Sequence, residues 1–526
     1  MNGTDFDIAI VGSGFGGSLL AMIARRLGFT VALLERGTHP RFAIGESTSP
    51  LTNLLIEELA RRYDLPRLLP LTTYGAWQRT YPEIRCGLKR GFTFFGHAPG
   101  KPYRSALDRS NQLLVAASPH DDLADTHWLR ADVDQFLLRE AVALGADYQD
   151  AVTLDAAVPL PSGGGMTLTG SRHDRPLRLH ARLVVDASGP RGFLARALNL
   201  PETTFPGYPA TQSLFSHFTD VRRCDAMDAF FPNETQKPPF PADDAAVHHV
   251  FPGGWMWLLR FNNGVTSAGV AMTDGRANEL DLAEGNAAAW QRFLDRFPTI
   301  AEQFAQARPI QPFRYAPRLS YRVNSVAGPG WALLPSAAAF VDPLFSPGFP
   351  LTLLGIERLT GVLQHGLEGW DNAARAAYAR ATLGEADHVA RFVAGCYAGF
   401  DGFASFAALS MFYFAAASFS EMARRLGKPH LAHGFLLANH PTFRSGLESC
   451  CDAAAETYPA ALRDAVRRAV EPVNVAGLCD DAKRNWYGVD LEDVVRGASK
   501  LDRTPGAVRE IIANAPWAQI PLAAAA

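Results

Sequence analysis

The strongest constraint on the fold is a glycine run near the start of the chain. Residues 6–11 are mostly apolar and predict a strand, residues 18–27 predict a helix, and residues 30–34 predict a second strand. The run between the first strand and the helix is Gly12, Ser13, Gly14, Phe15, Gly16 and Gly17. Such glycines permit a tight turn and let backbone N–H groups meet a pyrophosphate at the helix N-terminus. The segment predicts a Rossmann-like unit that binds a dinucleotide.

An acidic residue after the second strand supports this interpretation. Glu35 stands at the distance expected for a carboxylate that binds the ribose hydroxyls. The alternative is a glycine turn that only packs a helix on a strand. We interpret the adjacent Arg36 as a solvated or phosphate-facing charge. The sequence has no second G-x-G-x-x-G between a strand and a helix, so we expect no built-in nicotinamide domain.

The chain length and charge bound the class of protein. With 526 residues, the chain exceeds what one core usually organises, so we expect two or three domains. The 50 basic and 53 acidic residues nearly balance, which makes nucleic-acid binding improbable. Six cysteines without C-x-x-C spacing indicate neither a zinc site nor a disulfide framework, and we predict no metal. The first residues lack the features of a secretory signal, so we expect a cytoplasmic protein that begins at Met1.

One uncharged segment, residues 402–420, is nearly long enough to span a bilayer. Its alanine and serine content suits close helix packing, and no basic flank sets an orientation. We predict a buried helix, with membrane association as the less favoured alternative.

The remaining patterns predict an α/β protein in three parts. A Rossmann-like domain takes residues 1–200 and continues at about 320–365, an antiparallel β domain that binds the substrate takes residues 201–320, and a helical C-terminal domain takes residues 366–526. The predicted strands of the second domain are residues 210–221, 245–251, 255–261 and 265–273. We also predict a glycine turn at residues 162–165, a proline-rich covering loop at residues 230–241 and a frayed end at residues 523–526.

Three separate segments resemble one group of flavoproteins, which contains the flavin-dependent halogenases, geranylgeranyl reductases and aromatic hydroxylases. The segments are Gly45-Glu46-Ser47-Thr48-Ser49-Pro50, Asp186-Ala187-Ser188-Gly189 and residues 340–349, FVDPLFSPGF. The resemblance covers roughly residues 5 to 360, and the first and third segments are most similar to the halogenases.

Three shorter motifs agree with the halogenases. Residues 89–96, KRGFTFFG, resemble their K-x-G-x-x-F-x-W-G, and residues 254–257, GWMW, resemble the first half of their W-x-W-x-I-P. Trp128, Arg130 and Asp134 are similar to the group's W-x-R-x-x-x-D helix start.

The resemblance implies an FAD-dependent oxidoreductase of secondary metabolism, with reduced FAD supplied by a separate flavin reductase. It implies chloride or bromide as a second reactant and an electron-rich aromatic or carrier-tethered substrate. The implied cofactor-binding residues are Gly12, Gly14, Phe15, Gly16, Gly17, Glu35, Arg36, Glu46, Ser47, Arg130, Asp186, Gly189, Asp342, Pro343, Gly348 and Phe349.

The resemblance also implies a catalytic lysine. In the halogenases, hypohalous acid travels through a tunnel to a lysine that holds it by a hydrogen bond or is itself halogenated, while the walls exclude water. Lys89 is the matching residue. The alternative is that Lys89, Arg85 and Arg90 are cations on a solvated strand edge.

The predicted antiparallel sheet contains paired tryptophans and three histidines. Trp255 and Trp257 share one face of a strand, where they are candidate catalytic residues that wall the tunnel or else ordinary core aromatics. His248 and His249 face opposite sides of a strand and do not bind one metal. His217 is interpreted as a core histidine, with acid–base chemistry as the alternative.

Several departures from the family pattern leave the reaction open. Ser346 and Gly348 are the candidate halide contacts, but Pro347 between them has no N–H to donate. Phe345 replaces the glutamate of the tryptophan halogenases, so free tryptophan is an unexpected substrate. Arg260 stands where the W-x-W-x-I-P motif of the halogenases ends in proline. Pro335-Ser336 replaces the Gly-Asp pair that precedes the third segment in most flavoproteins of the group. The alternatives are a monooxygenase, dehydrogenase or reductase without halide chemistry, and a non-catalytic flavin-binding subunit of a biosynthetic assembly.

Overall fold

The structure, a computed structural model, describes residues 4–160, 164–232 and 237–518. The predicted turn at 162–165 and the predicted loop at 230–241 lie partly outside the described residues, and Met1 and residues 523–526 lie entirely outside them.

The strands are β1 (Thr4–Val11), β2 (Val31–Leu34), β3 (Cys86–Lys89), β4 (Gly91–Gly96), β5 (Gln112–Ala116), β6 (Asp125–Trp128), β7 (Asp147–Gln149), β8 (Val152–Pro159), β9 (Met166–Arg172), β10 (Arg175–Asp186), β11 (Glu202–Thr203), β12 (Thr211–Thr219), β13 (Ala246–Phe251), β14 (Gly254–Arg260), β15 (Thr266–Thr273), β16 (Arg308–Pro309), β17 (Arg314–Ala316), β18 (Tyr321–Val323), β19 (Ala327–Gly328), β20 (Trp331–Leu333), β21 (Ala339–Phe340) and β22 (Trp486–Tyr487).

The helices are α1 (Phe15–Arg26), α2 (Pro50–Arg62), α3 (Tyr74–Thr80), α4 (Arg130–Ala143), α5 (Phe193–Ala197), α6 (Asp274–Glu279), α7 (Ala287–Asp295), α8 (Pro298–Gln303), α9 (Pro335–Ala338), α10 (Gly348–Leu363), α11 (Asn372–Gly399), α12 (Phe403–Arg425), α13 (Pro441–Ala453), α14 (Pro459–Val470), α15 (Leu491–Arg496) and α16 (Pro505–Asn514).

The first sheet is the predicted Rossmann-like sheet. Its order is β19-β20-β10-β1-β2-β7, and β1 is parallel to both neighbours, β2 and β10. Apolar side chains of β1 and β2 are buried because helices cover the sheet. The chain leaves β1 toward β2 on one side and returns as β10 on the other, which places the glycine run at the carboxyl end of β1 between them. Ligands bind open α/β sheets at such a point.

The second sheet contains the four predicted strands, but it is larger than predicted. Strands β12, β15, β14 and β13 pair antiparallel in that order, as expected. The sheet then continues with β4, β5 and β22, and the pairs β13–β4 and β5–β22 are parallel. The parallel pairs involve β4 and β22, which the sequence analysis did not assign to this sheet. Parallel pairing needs a long connection, which the roughly 150 residues between β4 and β13 provide.

The predicted buried helix is α12. Among the described residues it is the one helix long and apolar enough to cross a membrane, and 78% of its most apolar window is buried inside the protein. It packs on α11 and α14, and its Phe406, Tyr413 and Phe414 contact aromatic residues of other elements. The helix thus brings the C-terminal region against the second sheet at β4, whose Phe92 and Phe94 contact these rings.

Candidate functional site

The glycine turn has the conformation that its sequence predicts. Gly12 has a φ of 100°, and a Cβ there would meet the Ala187 carbonyl oxygen at 2.7 Å. A Cβ at Gly17 would meet the Gly12 carbonyl oxygen at 1.9 Å. Side chains are therefore excluded where α1 packs on the ends of β1 and β10.

A cation-flanked point lies in front of α1. The ideal Cβ position at Gly14 is 3.5 Å from guanidinium nitrogens of both Arg41 and Arg130, and 3.6 Å from Asp134 Oδ2. Gly14 is the last residue before α1, so the partial positive charge of the helix N-terminus is added to the two cations. A pyrophosphate fits this environment.

Glu35 forms one wall of a cavity of about 430 Å³ beside the glycine turn. Its carboxylate accepts hydrogen bonds from Ser13 N at 3.0 Å and Gly37 N at 2.9 Å, and Arg41 Nη2 lies at 3.3 Å. Burial raises the pKa of Glu35, but Arg41 and the two backbone donors outweigh burial and lower the pKa overall. Arg36 is exposed and lines the same cavity.

The lowered pKa of Glu35 predicts a pH dependence of stability. An acid whose folded pKa is depressed stabilises the fold above its unfolded pKa, and that stability is lost as the pH falls through the folded pKa. We expect the thermal midpoint to fall below a pH of about 4.5, and to fall less steeply in Glu35→Gln. Circular dichroism melts from pH 6 to pH 3 measure this. Glu57→Gln, in a helix-surface pair with Arg61, is the control, and its midpoint should depend on pH as that of the wild type does. If the midpoint of Glu35→Gln falls with pH as steeply as that of the wild type, the prediction is contradicted.

Arg130 connects the glycine turn to the segment that contains Glu46. It forms a two-point contact with Asp134, at 2.8 and 2.9 Å, and donates to the carbonyls of Ile44 and Gly45 at 3.0 and 2.9 Å. The Arg130 guanidinium also lies 5.2 Å from the Phe15 ring. The predicted arginine–acid pair is therefore present at the start of α4, as a buried ion pair.

The segment after Gly45 is held by contacts that the sequence did not indicate. Glu46 Oε1 lies 2.8 Å from His217 Nε2, and both side chains are buried. Ser47 forms an isolated β-bridge with His127. His217 thus has a buried partner, in line with its interpretation as a core histidine.

Asp186 and Gly189 shape the turn at the end of β10. Asp186 accepts from Ser188 N at 2.9 Å and from Leu194 N at 2.6 Å, and Gly189 has a φ of 87°. The neighbouring Ser188 and Pro190 line the 430 Å³ cavity. The Asp186 carboxylate therefore orders the wall of the cavity through backbone hydrogen bonds.

Asp342 lies in a buried hydrogen-bond cluster. It accepts from the hydroxyls of Tyr208 at 3.0 Å and Tyr397 at 2.9 Å, and burial raises its pKa to about 6. Two residues on, Leu344 N donates to the same carboxylate at 2.9 Å, which fixes the turn that Pro343 begins. Sequence reasoning missed both tyrosines because they lie far from Asp342 in the chain.

Phe349, in the first turn of α10, joins this segment to the glycine turn. Its ring lies 4.6 Å from the Phe15 ring and 4.9 Å from the Trp128 ring. The two helix starts, of α1 and α10, therefore face one another across an aromatic cluster.

Lys89 is completely buried, so its placement on a solvated strand edge is wrong. Its Nζ donates to the Thr48 carbonyl oxygen and lies 4.0 Å above the centroid of the Phe92 ring. Burial lowers the pKa of Lys89, while the nearby Asp125 carboxylate opposes that shift. The side chain of Arg85 is 53% exposed, whereas Arg90 is buried and paired with Asp121.

A two-stranded ladder links Lys89 to the glycine turn. Trp128 at one end pairs with Cys86 and contacts Phe15, and Lys89 at the other end pairs with Asp125. Three residues of extended strand span roughly 10 Å. Lys89 is therefore separated from the predicted cofactor cleft but connected to it by the same ladder.

Aromatic rings surround Lys89 on the side of α12. Phe345 stacks on Tyr413 at 4.8 Å, and both contact Phe92, at 6.3 and 5.5 Å respectively. Trp255 and Trp257 lie on one face with ring centroids 5.7 Å apart, as predicted. The Trp255 ring lies 5.4 Å from the His248 ring, and His248 in turn stacks on Phe94 of this cluster at 4.5 Å. His249 points to the opposite face, where it contacts His97 at 2.8 Å.

Comparisons with known proteins agree with this arrangement. A family model described as tryptophan halogenase matches residues 125–399. Monodechloroaminopyrrolnitrin halogenase of Pseudomonas fluorescens is 30% identical over 406 residues, which cover 76% of this chain and 69% of that protein. The chain belongs to the flavin-dependent halogenase family.

Two further comparisons define the extent of the similarity. Tetracycline 7-halogenase of Kitasatospora aureofaciens is 31% identical over 378 residues, covering 70% of this chain and 65% of that enzyme. The structure of halogenase PltM in complex with phloroglucinol and FAD has a TM-score of 0.80 at 24% identity, covering 91% of this chain and 99% of PltM. The fold of this chain is therefore the halogenase fold over nearly its whole length.

Membership of the family makes the chain an FAD-dependent enzyme of the oxidoreductase type, and the interpretation as a non-catalytic subunit is wrong. The described residues fit FAD. The cation-flanked point at Gly14 suits the pyrophosphate, and Glu35 lies where the ribose of a dinucleotide is bound.

The resemblance implies two backbone N–H donors for halide, at positions 347 and 348. The start of α10 offers the N–H of Gly348 but not that of residue 347, because Pro347 has none. Ser346 and Phe345 have φ angles of 57° and 63°, and Ser346 N donates to the Pro343 carbonyl at 3.0 Å. The Ser346 N–H is thus used within the turn. Gly348 is the first residue of the helix, and an added Cβ there would meet nothing within 4 Å.

Proposed function

We propose that this chain halogenates an electron-rich aromatic substrate, free or tethered to a carrier protein, and that Lys89 delivers the halogen. The observation that carries the proposal is the buried Lys89 amine, enclosed by aromatic rings and linked by a short ladder to the glycine turn. The pathway is one of secondary metabolism, and a separate cytoplasmic flavin reductase supplies the reduced cofactor.

Bound reduced FAD, with oxygen, would supply the oxidising equivalents that convert halide to hypohalous acid. The residues at the start of α1, with Glu35 and Arg130, would hold the cofactor. The aromatic cluster of Phe15, Trp128 and Phe349 excludes water between the cleft and Lys89.

Lys89 is suited to retain hypohalous acid. One N–H is held by the Thr48 carbonyl, which fixes the side chain, and among the described residues no second acceptor takes the other Nζ donors, which would bind the oxygen of the acid. Phe92 and Tyr413 keep the surroundings dry, so a hydrogen bond here is stronger than in water.

The test supplies purified protein with FAD, a flavin reductase, NADH, oxygen and bromide, and follows bromination of monochlorodimedone and of a panel of phenols and pyrroles. We expect brominated products from both. Reoxidation of the flavin without any brominated product would contradict the proposal.

A second candidate is a flavin monooxygenase or oxidase without halide chemistry, and Pro347 is the observation that favours it. Proline removes a backbone donor next to Gly348 at the start of α10. In this case the same assay would yield hydroxylated product or peroxide instead of brominated product.

Pro347→Ser restores the missing donor. A hydrogen bond to an anion contributes about 1.5–3 kcal/mol, so we expect the KM for bromide to fall by roughly tenfold. Steady-state bromination at varied bromide measures this. Pro505→Ser, also at the start of a helix but far away in α16, is the control and should leave the KM unchanged. An unchanged bromide KM in Pro347→Ser would show that halide does not bind there.

A further inference from the structure

Asp125 is a buried carboxylate directly opposite Lys89 in the β3–β6 ladder. Its Oδ1 accepts from Asn53 Nδ2 at 2.8 Å. In the part of the chain that the structure describes, no donor reaches Oδ2. No motif of the sequence includes Asp125, and the proposed function does not use it.

An unpartnered carboxylate oxygen at this depth is costly. Leaving a buried acceptor unsatisfied costs about 1–3 kcal/mol, and more for a charged group. Other buried side-chain atoms of the described residues also lack a partner, and Asp125 Oδ2 differs from them in belonging to the carboxylate directly opposite Lys89. A ligand that brings one donor to Oδ2 would remove the cost.

The surroundings restrict the body of that ligand. Tyr413 of α12 lies over Phe345 and Phe92, and Lys89 Nζ lies above Phe92. The complementary ligand is flat and apolar, with one polar hydrogen.

We propose that Asp125 Oδ2 accepts a hydrogen bond from a ring O–H or ring N–H of the aromatic substrate, and so directs a ring carbon toward Lys89. This proposal rests on the proposed function and narrows its substrate class to rings with such a donor, namely phenols and pyrroles. It also makes Asp125 a catalytic residue.

The step balances for a phenol and hypohalous acid. A ring carbon uses its π electrons to bond the halogen, the O–X bond breaks, and the departing oxygen takes a proton from Lys89 to leave as water. Asp125 takes the phenol proton, which gives a neutral dienone. Loss of the ring C–H proton to Lys89 and return of the proton from Asp125 to oxygen restore the aromatic ring and both side chains.

The protonation energetics support this exchange. Burial raises the pKa of Asp125 and lowers that of Lys89, and each group's charge partly offsets the shift of the other. A buried carboxylate and a buried amine that lie opposite one another in the ladder are placed to give and take protons in turn.

The experiment compares bromination of resorcinol with that of its dimethyl ether, 1,3-dimethoxybenzene, which keeps an electron-rich ring but has no O–H. Wild type should prefer resorcinol, and Asp125→Asn should lose that preference and brominate resorcinol at least about tenfold more slowly. Monochlorodimedone, which reports hypohalous acid, is assayed in parallel, and the bromination rate of each ring is expressed relative to it. Asp121→Asn, an exposed carboxylate four residues away, is the matched control and should behave as wild type.

The outcomes separate the two proposals. Equal bromination of both rings by wild type, or an unchanged preference in Asp125→Asn, would overturn the role of Asp125. So would a wild type that brominates monochlorodimedone but neither ring. A wild type that brominates none of the three compounds contradicts halogenation itself, upon which the role of Asp125 depends.

Discussion

Lys89→Ala should abolish bromination of the aromatic substrate while flavin oxidation continues at the wild-type rate. The buried amine lies between the Thr48 carbonyl and the Phe92 ring, where we propose that it holds hypohalous acid within the aromatic cluster. Removal of a positioned acid–base group costs about a thousandfold in rate. Product formation is measured by mass spectrometry, and flavin reoxidation by absorbance.

Two further variants separate chemistry from folding. Lys89→Met keeps the volume of the buried side chain, and the paired Asp125 can remain neutral because burial raises its pKa. Arg85→Ala removes an exposed cation near the start of the same strand and should leave bromination unchanged. If Lys89→Met is well folded and brominates as fast as the wild type, the role given to Lys89 is wrong.

The Rossmann-like unit could be predicted from sequence because its signals are local. Gly17 is required by a contact within a short stretch, the 1.9 Å approach of its Cβ position to Gly12, and strands β12 to β15 are each a nearly continuous run of buried residues. The pairing of β4 with β13 could not be predicted. Side-chain periodicity defines a strand but carries no information about which distant strand lies beside it.

The candidate site was predictable only where a motif marked it. Lys89 was found by resemblance, but its burial depends on α12, which brings Tyr413 and Phe414 over Phe92 from more than 300 residues away. Asp125 carries no motif, and its importance arises from its register opposite Lys89. The hydroxyls of Tyr208 and Tyr397 on Asp342 are similar cases, since tertiary packing alone brings them together.

Gly14→Val should reduce the affinity for FAD by about a hundredfold or more, or close to 3 kcal/mol, without preventing folding. Gly14 has φ −67° and ψ −176°, a conformation that valine adopts readily, and a Cβ there meets its nearest neighbours at 3.5 Å. Those neighbours are the guanidinium groups of Arg41 and Arg130. The valine would therefore occupy the point where two cations and the start of α1 converge, where we propose that the pyrophosphate binds.

The measurement is a fluorescence titration of FAD into the apoprotein, with thermal melts to check folding. Gly361→Val, at a helical glycine of α10 with open space around it, is the control and should bind FAD like the wild type. By contrast, Gly17→Val should lower the melting temperature itself, because its Cβ would meet the backbone of Gly12 rather than the ligand. Wild-type FAD affinity in a folded Gly14→Val would place the pyrophosphate elsewhere, since the valine side chain and the phosphates cannot share one position.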